Sequence, residues 1–200
     1  ASPFVIPYFF KHLHMTFTQV AVWAAIASTC GLFMGPVWGK VADRVGHKTV
    51  LIITTFLAGS VHPLCWMLSA PGFLWFVWLS GIMDALSWGG INTSMFNLTL
   101  ASAPARYRTS YIAVLGMASG LSGCIAGLLS GPLLTLLLRG QWEIGGFTWT
   151  GYHSLFLLAG LLRTQAWRLL RPVHEVGARP ASEFLRDTFN RTLDRLPWRL

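Results

Sequence analysis

Charge is scarce in this sequence, and acidic charge most of all. Only 11% of the 200 residues are charged and seven are Asp or Glu, where soluble domains carry about 25% charged residues. A soluble domain of this length has too little interior for side chains that are 54% hydrophobic, so that class is excluded. Cysteine is also sparse. Cys30, Cys65 and Cys124 stand far apart inside apolar runs, with no CxxC or Cys/His metal spacing, and read as small buried hydrophobes. A hydrolase elbow, a phosphate-cradling glycine loop and a zinc ligand pattern are all missing. No catalytic residue, metal or cofactor is therefore expected. The chain opens Ala1-Ser2-Pro3 without Met, and its first apolar stretch, Phe4 to Phe10, has neither the basic start nor the cleavage site of a signal peptide. Too short to span a membrane, that stretch reads as the end of a truncated helix, and the chain as a fragment.

Long apolar runs are what the sequence does contain. Five follow the truncated first segment: Phe17 to Trp38, Thr49 to Ala70, Phe73 to Leu100, Tyr111 to Leu138 and Tyr152 to Leu170. Runs near 20 residues match a hydrocarbon core of ~30 Å at ~1.5 Å rise per residue. Turn formers separate them: Pro71-Gly72, Pro104, Gly140 and Gly145-Gly146. The pattern predicts an all-α integral membrane protein, with residues 1–172 as the embedded part (about five and a half helices) and 173–200 as a basic tail.

The formal charge of +8 would suit nucleic acid. No basic cluster accompanies aromatics on a polar surface, however, and membrane proteins collect Lys and Arg in cytoplasmic loops. Nucleic acid is not an expected partner; membrane lipid is. One side of the predicted bundle holds Lys40, Arg44 and Lys48, then Arg106 and Arg108, then tail arginines Arg171, Arg179, Arg186, Arg191, Arg195 and Arg199. Only Lys11 and Arg139, the latter near Glu143, lie on the other. Both basic loops and the tail are thus expected in the cytoplasm, with the protein in the cell (inner or plasma) membrane. Within the tail, Leu185, Phe189, Leu193 and Leu196 fall near helical spacing. A basic amphipathic helix on anionic lipid and a solvated, partly disordered terminus are both open readings.

Between the second and third segments lies Gly39-Lys40-Val41-Ala42-Asp43-Arg44-Val45-Gly46-His47-Lys48. It resembles the G-x-L-A-D-R-x-G-R-K loop of the major facilitator superfamily, with Val41 in place of Leu and His47 in place of a basic residue. Gly39 suits close helix approach and Gly46 a positive φ in a tight turn. The resemblance implies that Gly39, Asp43, Arg44, Gly46 and Lys48 form a conformational loop, with Asp43 meeting a helix N-terminus of another half. It implies one six-helix half, a 3+3 inverted repeat, of a twelve-helix bundle. Gly127-Leu128-Leu129-Ser130-Gly131-Pro132 partly matches an antiporter motif of the first half. The softened loop and basic tail favour the C-terminal half, which makes the N-terminal half of the same polypeptide the missing partner.

Asp84 is the one acidic residue inside a predicted span, where a charge costs roughly 2.5–3.5 kcal/mol. It lies about eleven residues in from Phe73, roughly 16 Å deep. Trp88 and Asn92 follow at four-residue steps, and the resemblance places this helix along a central cavity, making Asp84, Trp88 and Asn92 candidates for solute binding or proton coupling. The alternative for Asp84 is a structural hydrogen bond to another helix. Arg163, at matching depth, is either its ion-pair partner or a cation snorkelling to the inner surface. His62-Pro63 marks a kink, with His62 a proton relay or, more simply, a packed histidine. Gly116, Gly120, Gly123, Gly127 and Gly131 trace a small-residue packing face. The function expected is secondary active transport of a small-molecule substrate by alternating access, proton-coupled if Asp84 titrates. A transporter-like sensor or scaffold is the alternative; an enzyme is not expected.

Overall fold

The computed structural model describes residues 2–138, 140, 142–144, 147–173, 175 and 180–193. In chain order these form α1 (Ser2–Lys11), α2 (Phe17–Val45), α3 (His47–Met67), α4 (Trp75–Ser102), a 3-10 turn (Ala105–Tyr107) and α5 (Arg108–Leu137). A two-stranded hairpin follows, β1 (Trp142–Ile144) and β2 (Phe147–Trp149), then α6 (Gly151–Thr164), α7 (Ala166–Leu170) and α8 (Ala181–Leu193). Three helical stretches are long and apolar enough to cross a membrane: Phe17–Val45, His47–Met67 and Ala105–Leu137. At 28 residues α4 has the length as well, but Asp84, Asn92, Asn97 and several Ser and Thr make it more polar.

The observed elements depart from the expected ones in three places. The hairpin, with Trp142 opposite Trp149 and Ile144 opposite Phe147, interrupts what was expected to be purely helical. α2 continues to Val45, so most of the expected loop is helix. Only Gly46, at φ 95°, breaks it before α3 begins. The last span is not continuous but breaks at Gln165. There the Thr164 hydroxyl donates to the Leu161 carbonyl at 2.9 Å while the Gln165 N–H donates to the same oxygen at 3.3 Å. Such back-bonding competes with the helical ladder and bends it. The tail forms α8, the helical one of its two open readings, and Phe184 packs against the cluster of Ala42, Val45 and Val50 at the α2–α3 turn. Of the tail residues singled out above, Arg179, Arg195, Leu196 and Arg199 lie outside the described residues, as does Arg139 before the hairpin.

Local chemistry sets the helix ends. Thr16 caps α2: its hydroxyl accepts from the Gln19 N–H at 3.2 Å, and its own N–H donates to Gln19 Oε1 at 2.8 Å. That pair is a reciprocal capping box. α3 begins without a capping side chain of its own, and Glu175, far along the chain, supplies one. Its two carboxylate oxygens accept the N–H groups of His47 at 2.8 Å and Lys48 at 2.6 Å. A carboxylate is favoured there because the first turn of a helix has unpaired N–H groups and a positive dipole end. The Lys48 ammonium closes the clamp on the carbonyls of Arg171 and Val173 at 3.0 and 2.8 Å.

Glycines let the central helices approach closely. A Cβ on Gly160 of α6 would lie 2.5 Å from the Gly59 carbonyl oxygen of α3, and one on Gly89 of α4 would lie 2.9 Å from Met34 of α2. Helices α2, α3, α4 and α6 thus pack as one group, with α1 filling the hairpin end through buried Tyr8 and Phe9. α5 stands apart. Leu134 is its one buried residue, and among the described residues nothing would lie within 4 Å of a Cβ added at Gly116, Gly120, Gly123, Gly127 or Gly131. The small-residue face read from the sequence is therefore open, as are Gly31, Gly35 and Gly39 on α2.

Candidate functional site

A cavity of about 300 Å³ opens inside the bundle, and five helices contribute its walls. α1 brings Val5 and Ile6, α2 brings Trp23, and α3 brings His62 and Trp66. Asp84 and Trp88 come from α4, and Arg163 from α6. The volume sits at the small end of the range for ligand pockets.

One buried hydroxyl sets two of the aromatic walls. Ser80 of α4 accepts the indole N–H of Trp23 at 3.1 Å and of Trp66 at 3.2 Å, and donates its own proton to the Val77 carbonyl at 2.7 Å. A hydroxyl has two acceptor sites and one donor, and all three are used. Two tryptophans from different helices are thereby tied to the helix that carries Asp84. The sequence reading missed Ser80, since a serine among apolar residues announces no partner.

The charged groups meet in the same space. His62 is buried on α3, and its Nδ1 lies 3.8 Å from Asp84 Oδ1. The carboxylate is 31% exposed, toward the cavity. On its other side, His62 Nε2 is buried with no hydrogen-bond partner among the described residues. The Arg163 guanidinium stands 5.2 Å from the centre of the Trp88 ring, a cation–π arrangement worth roughly 0.5–2 kcal/mol. Arg163 thus borders the cavity beside Trp88. It lies within electrostatic reach of Asp84. Among the described residues, however, the two make no N···O contact within 4.0 Å; the carboxylate's close partner is His62. His62 is thus packed, as one of its two sequence readings had it, and stands beside the acidic group.

Asn92 is not in this cavity. It is exposed and lines a separate cleft of about 250 Å³ against α5, with Ile112, Leu115 and Gly116. Each four-residue step overshoots a full turn by roughly 40°, so two steps from Asp84 carry the side chain roughly 80° around the helix. Asp84 and Trp88 share a site; Asn92 faces elsewhere.

A second polar group gathers at the hairpin end, where the Tyr8 hydroxyl donates to the Trp66 carbonyl at 2.9 Å and stands 3.3 Å from His153 Nε2. Just beyond α1, burial and then the neighbouring His14 hold the His12 pKa below its ordinary value. No group of three or more His, Cys, Asp or Glu able to hold a metal occurs among the described residues.

At the opposite end lies the ten-residue motif, running from Gly39 in the last turns of α2 through Gly46 to Lys48 in the first turn of α3. Asp43 and Arg44 are exposed there. Residues 1–198 match the family model described as Major Facilitator Superfamily. This chain belongs to the Major Facilitator Superfamily. Neither a curated protein nor a solved structure matches it. As a member of that superfamily the chain is an integral membrane transporter, in keeping with its long apolar helices. The positive φ at Gly46 accounts for that glycine of the motif, since a side chain there is strained. A Cβ on Gly39 would have nothing within 4 Å among the described residues, so none of them makes a close helix approach on that side of Gly39.

Proposed function

We propose that the chain is one six-helix half of a secondary active transporter that moves a small solute by alternating access. In this reading the Asp84–His62 pair is the proton-coupling element. One observation carries it: an ionisable carboxylate and a buried imidazole stand 3.8 Å apart in an aromatic-walled cavity within the apolar bundle. Intramembrane ionisable groups are costly and mark ion or substrate pathways, and a shared proton is something this pair can hold and release. With no phosphate-cradling loop in this sequence, the reading takes an ion or substrate gradient as the driving force.

The two open glycine faces, on α2 and on α5, support a second half of the same polypeptide packing against them. Small residues at such surfaces let helices approach and slide, as rocking of two halves about a central site requires. The softened motif and the basic tail favour the C-terminal half in this reading. The basic residues at the α2–α3 turn, the α4–α5 junction and the tail support a cytoplasmic position for those ends in this reading.

The test is Asp84→Asn in the full polypeptide, reconstituted in vesicles loaded with a pH-sensitive dye. Solute-dependent proton movement should be lost while solute exchange without a gradient persists, because Asn imitates the protonated acid. Normal proton-driven accumulation in Asp84→Asn would sink the coupling role.

A further inference from the structure

We infer that the cavity is an anion site: Arg163, held over Trp88, receives the carboxylate or comparable monoanionic group of a small solute whose apolar body lies against Trp23, Trp66 and Trp88. This rests on the transport reading, for which it supplies the class of substrate.

The argument turns on which hydrogen-bonding capacity is already used. The His62 imidazole stands 3.8 Å from the Asp84 carboxylate, and Trp88 and Arg163 line the same cavity. The indole N–H groups of Trp23 and Trp66 are both taken by Ser80. Arg163 is different. A guanidinium carries five N–H donors in a rigid fork that matches a carboxylate. Among the described residues it donates no hydrogen bond and has no acidic oxygen within 4.0 Å. Its one described close partner is the face of Trp88, which leaves the edge of the fork free. A half-buried cation with unused donors, opening on a cavity of about 300 Å³, is complementary to an anion.

Asp84 shares the cavity, and its negative charge opposes an anion. His62 meets that objection. One proton on the His62–Asp84 pair makes the pair neutral and leaves Arg163 as the net charge facing the solute. A cationic solute meets the reverse: the acid it needs is already faced by donors, and Arg163 repels it. The walls favour an aromatic or compact apolar body, because three indole rings and the side chains of Val5 and Ile6 line the space. A free amino acid would have to place its ammonium beside Arg163 or His62, which disfavours zwitterions.

The experiment uses the full polypeptide in detergent and a matched panel of probes. Benzoate, 3-phenylpropanoate and indole-3-acetate are each compared with the amide of the same body and with the amine of nearest shape, by titration calorimetry. At least one carboxylate should bind tenfold or more tightly than its amide and amine. Arg163→Gln should remove that preference, and Arg163→Lys should retain part of it, because Lys keeps the charge but not the fork. Equal or tighter binding of the amide or amine, no binding by any carboxylate, or an unchanged preference in Arg163→Gln each overturns the anion site. The ranking in the unmutated protein decides the matter even if a variant fails to fold. Flux of the same probes into vesicles is read separately. Carboxylate binding without flux would refute transport and leave the anion site standing. Flux of the amide or amine in preference to the carboxylate would do the reverse.

Discussion

Replacing Ser80 by Ala removes one oxygen atom and should cost more than its size suggests. The Ser80 hydroxyl accepts two indole N–H groups from two other helices while donating to the Val77 carbonyl. A buried donor stripped of its acceptor costs about 1–3 kcal/mol. Trp66, only 7% exposed, carries that penalty. Trp23 opens on the cavity, where water can replace the lost acceptor, so its share is near zero. Side-chain hydrogen bonds within a bilayer average about 0.6 kcal/mol in double-mutant cycles, with a maximum near 1.7, which pulls the expectation toward the lower end. A loss of about 1–2 kcal/mol results. The same helix supplies its own control. Ser87 is also fully buried, yet its hydroxyl has no partner among the described residues. Ser87→Ala should therefore be neutral or slightly stabilising, because it removes a desolvated group that gains nothing. Unfolding of the two variants in mixed micelles, titrated with denaturant and followed by helical circular dichroism, measures the difference. A gap of about 1.4 kcal/mol is tenfold in the unfolding equilibrium. If Ser80→Ala and Ser87→Ala fall within 0.5 kcal/mol of each other, roughly the spread of unremarkable surface changes, the anchoring of the cavity walls by Ser80 is refuted.

Two further outcomes test the packing and the motif. Gly160→Ala would set a methyl group 2.5 Å from the Gly59 carbonyl oxygen and 2.9 Å from the Pro63 ring. Overpacking of this kind costs about 1–3 kcal/mol, so the thermal midpoint should fall. A midpoint unchanged by Gly160→Ala would contradict the close crossing of α3 and α6. Asp43 is exposed at the α2 end, and Asp43→Asn should slow uptake about two- to fivefold, the size of one charge–dipole contact, with membrane insertion intact. Unchanged uptake and unchanged accessibility labelling would rule out a tether to another half.

Composition and the spacing of apolar runs were enough to place the chain in a membrane and to locate the ends of its long helices within three residues, except that α2 runs on from Trp38 to Val45, because the bilayer imposes a length that the sequence must satisfy locally. The motif after α2 was legible for a similar reason. Gly46 needs a backbone conformation that side chains resist, and a one-residue turn between two helices leaves little choice. Asp84 stood out because an acid in an apolar run is expensive wherever its helix ends up. Contacts between helices were another matter. Asn92 shares a four-residue repeat with Asp84, yet helical drift turns it toward α5. Arg163 was matched to Asp84 by depth, while the residue that comes within 3.8 Å is His62. Ser80 and Glu175 gave no local sign of their partners, since the indoles of Trp23 and Trp66 and the first N–H groups of α3 reach them only after the bundle assembles. Periodicity along one helix reports which side chains share a face. Which neighbour that face meets depends on rotation and crossing between helices, and those were decided by the close glycine contacts of the tertiary structure.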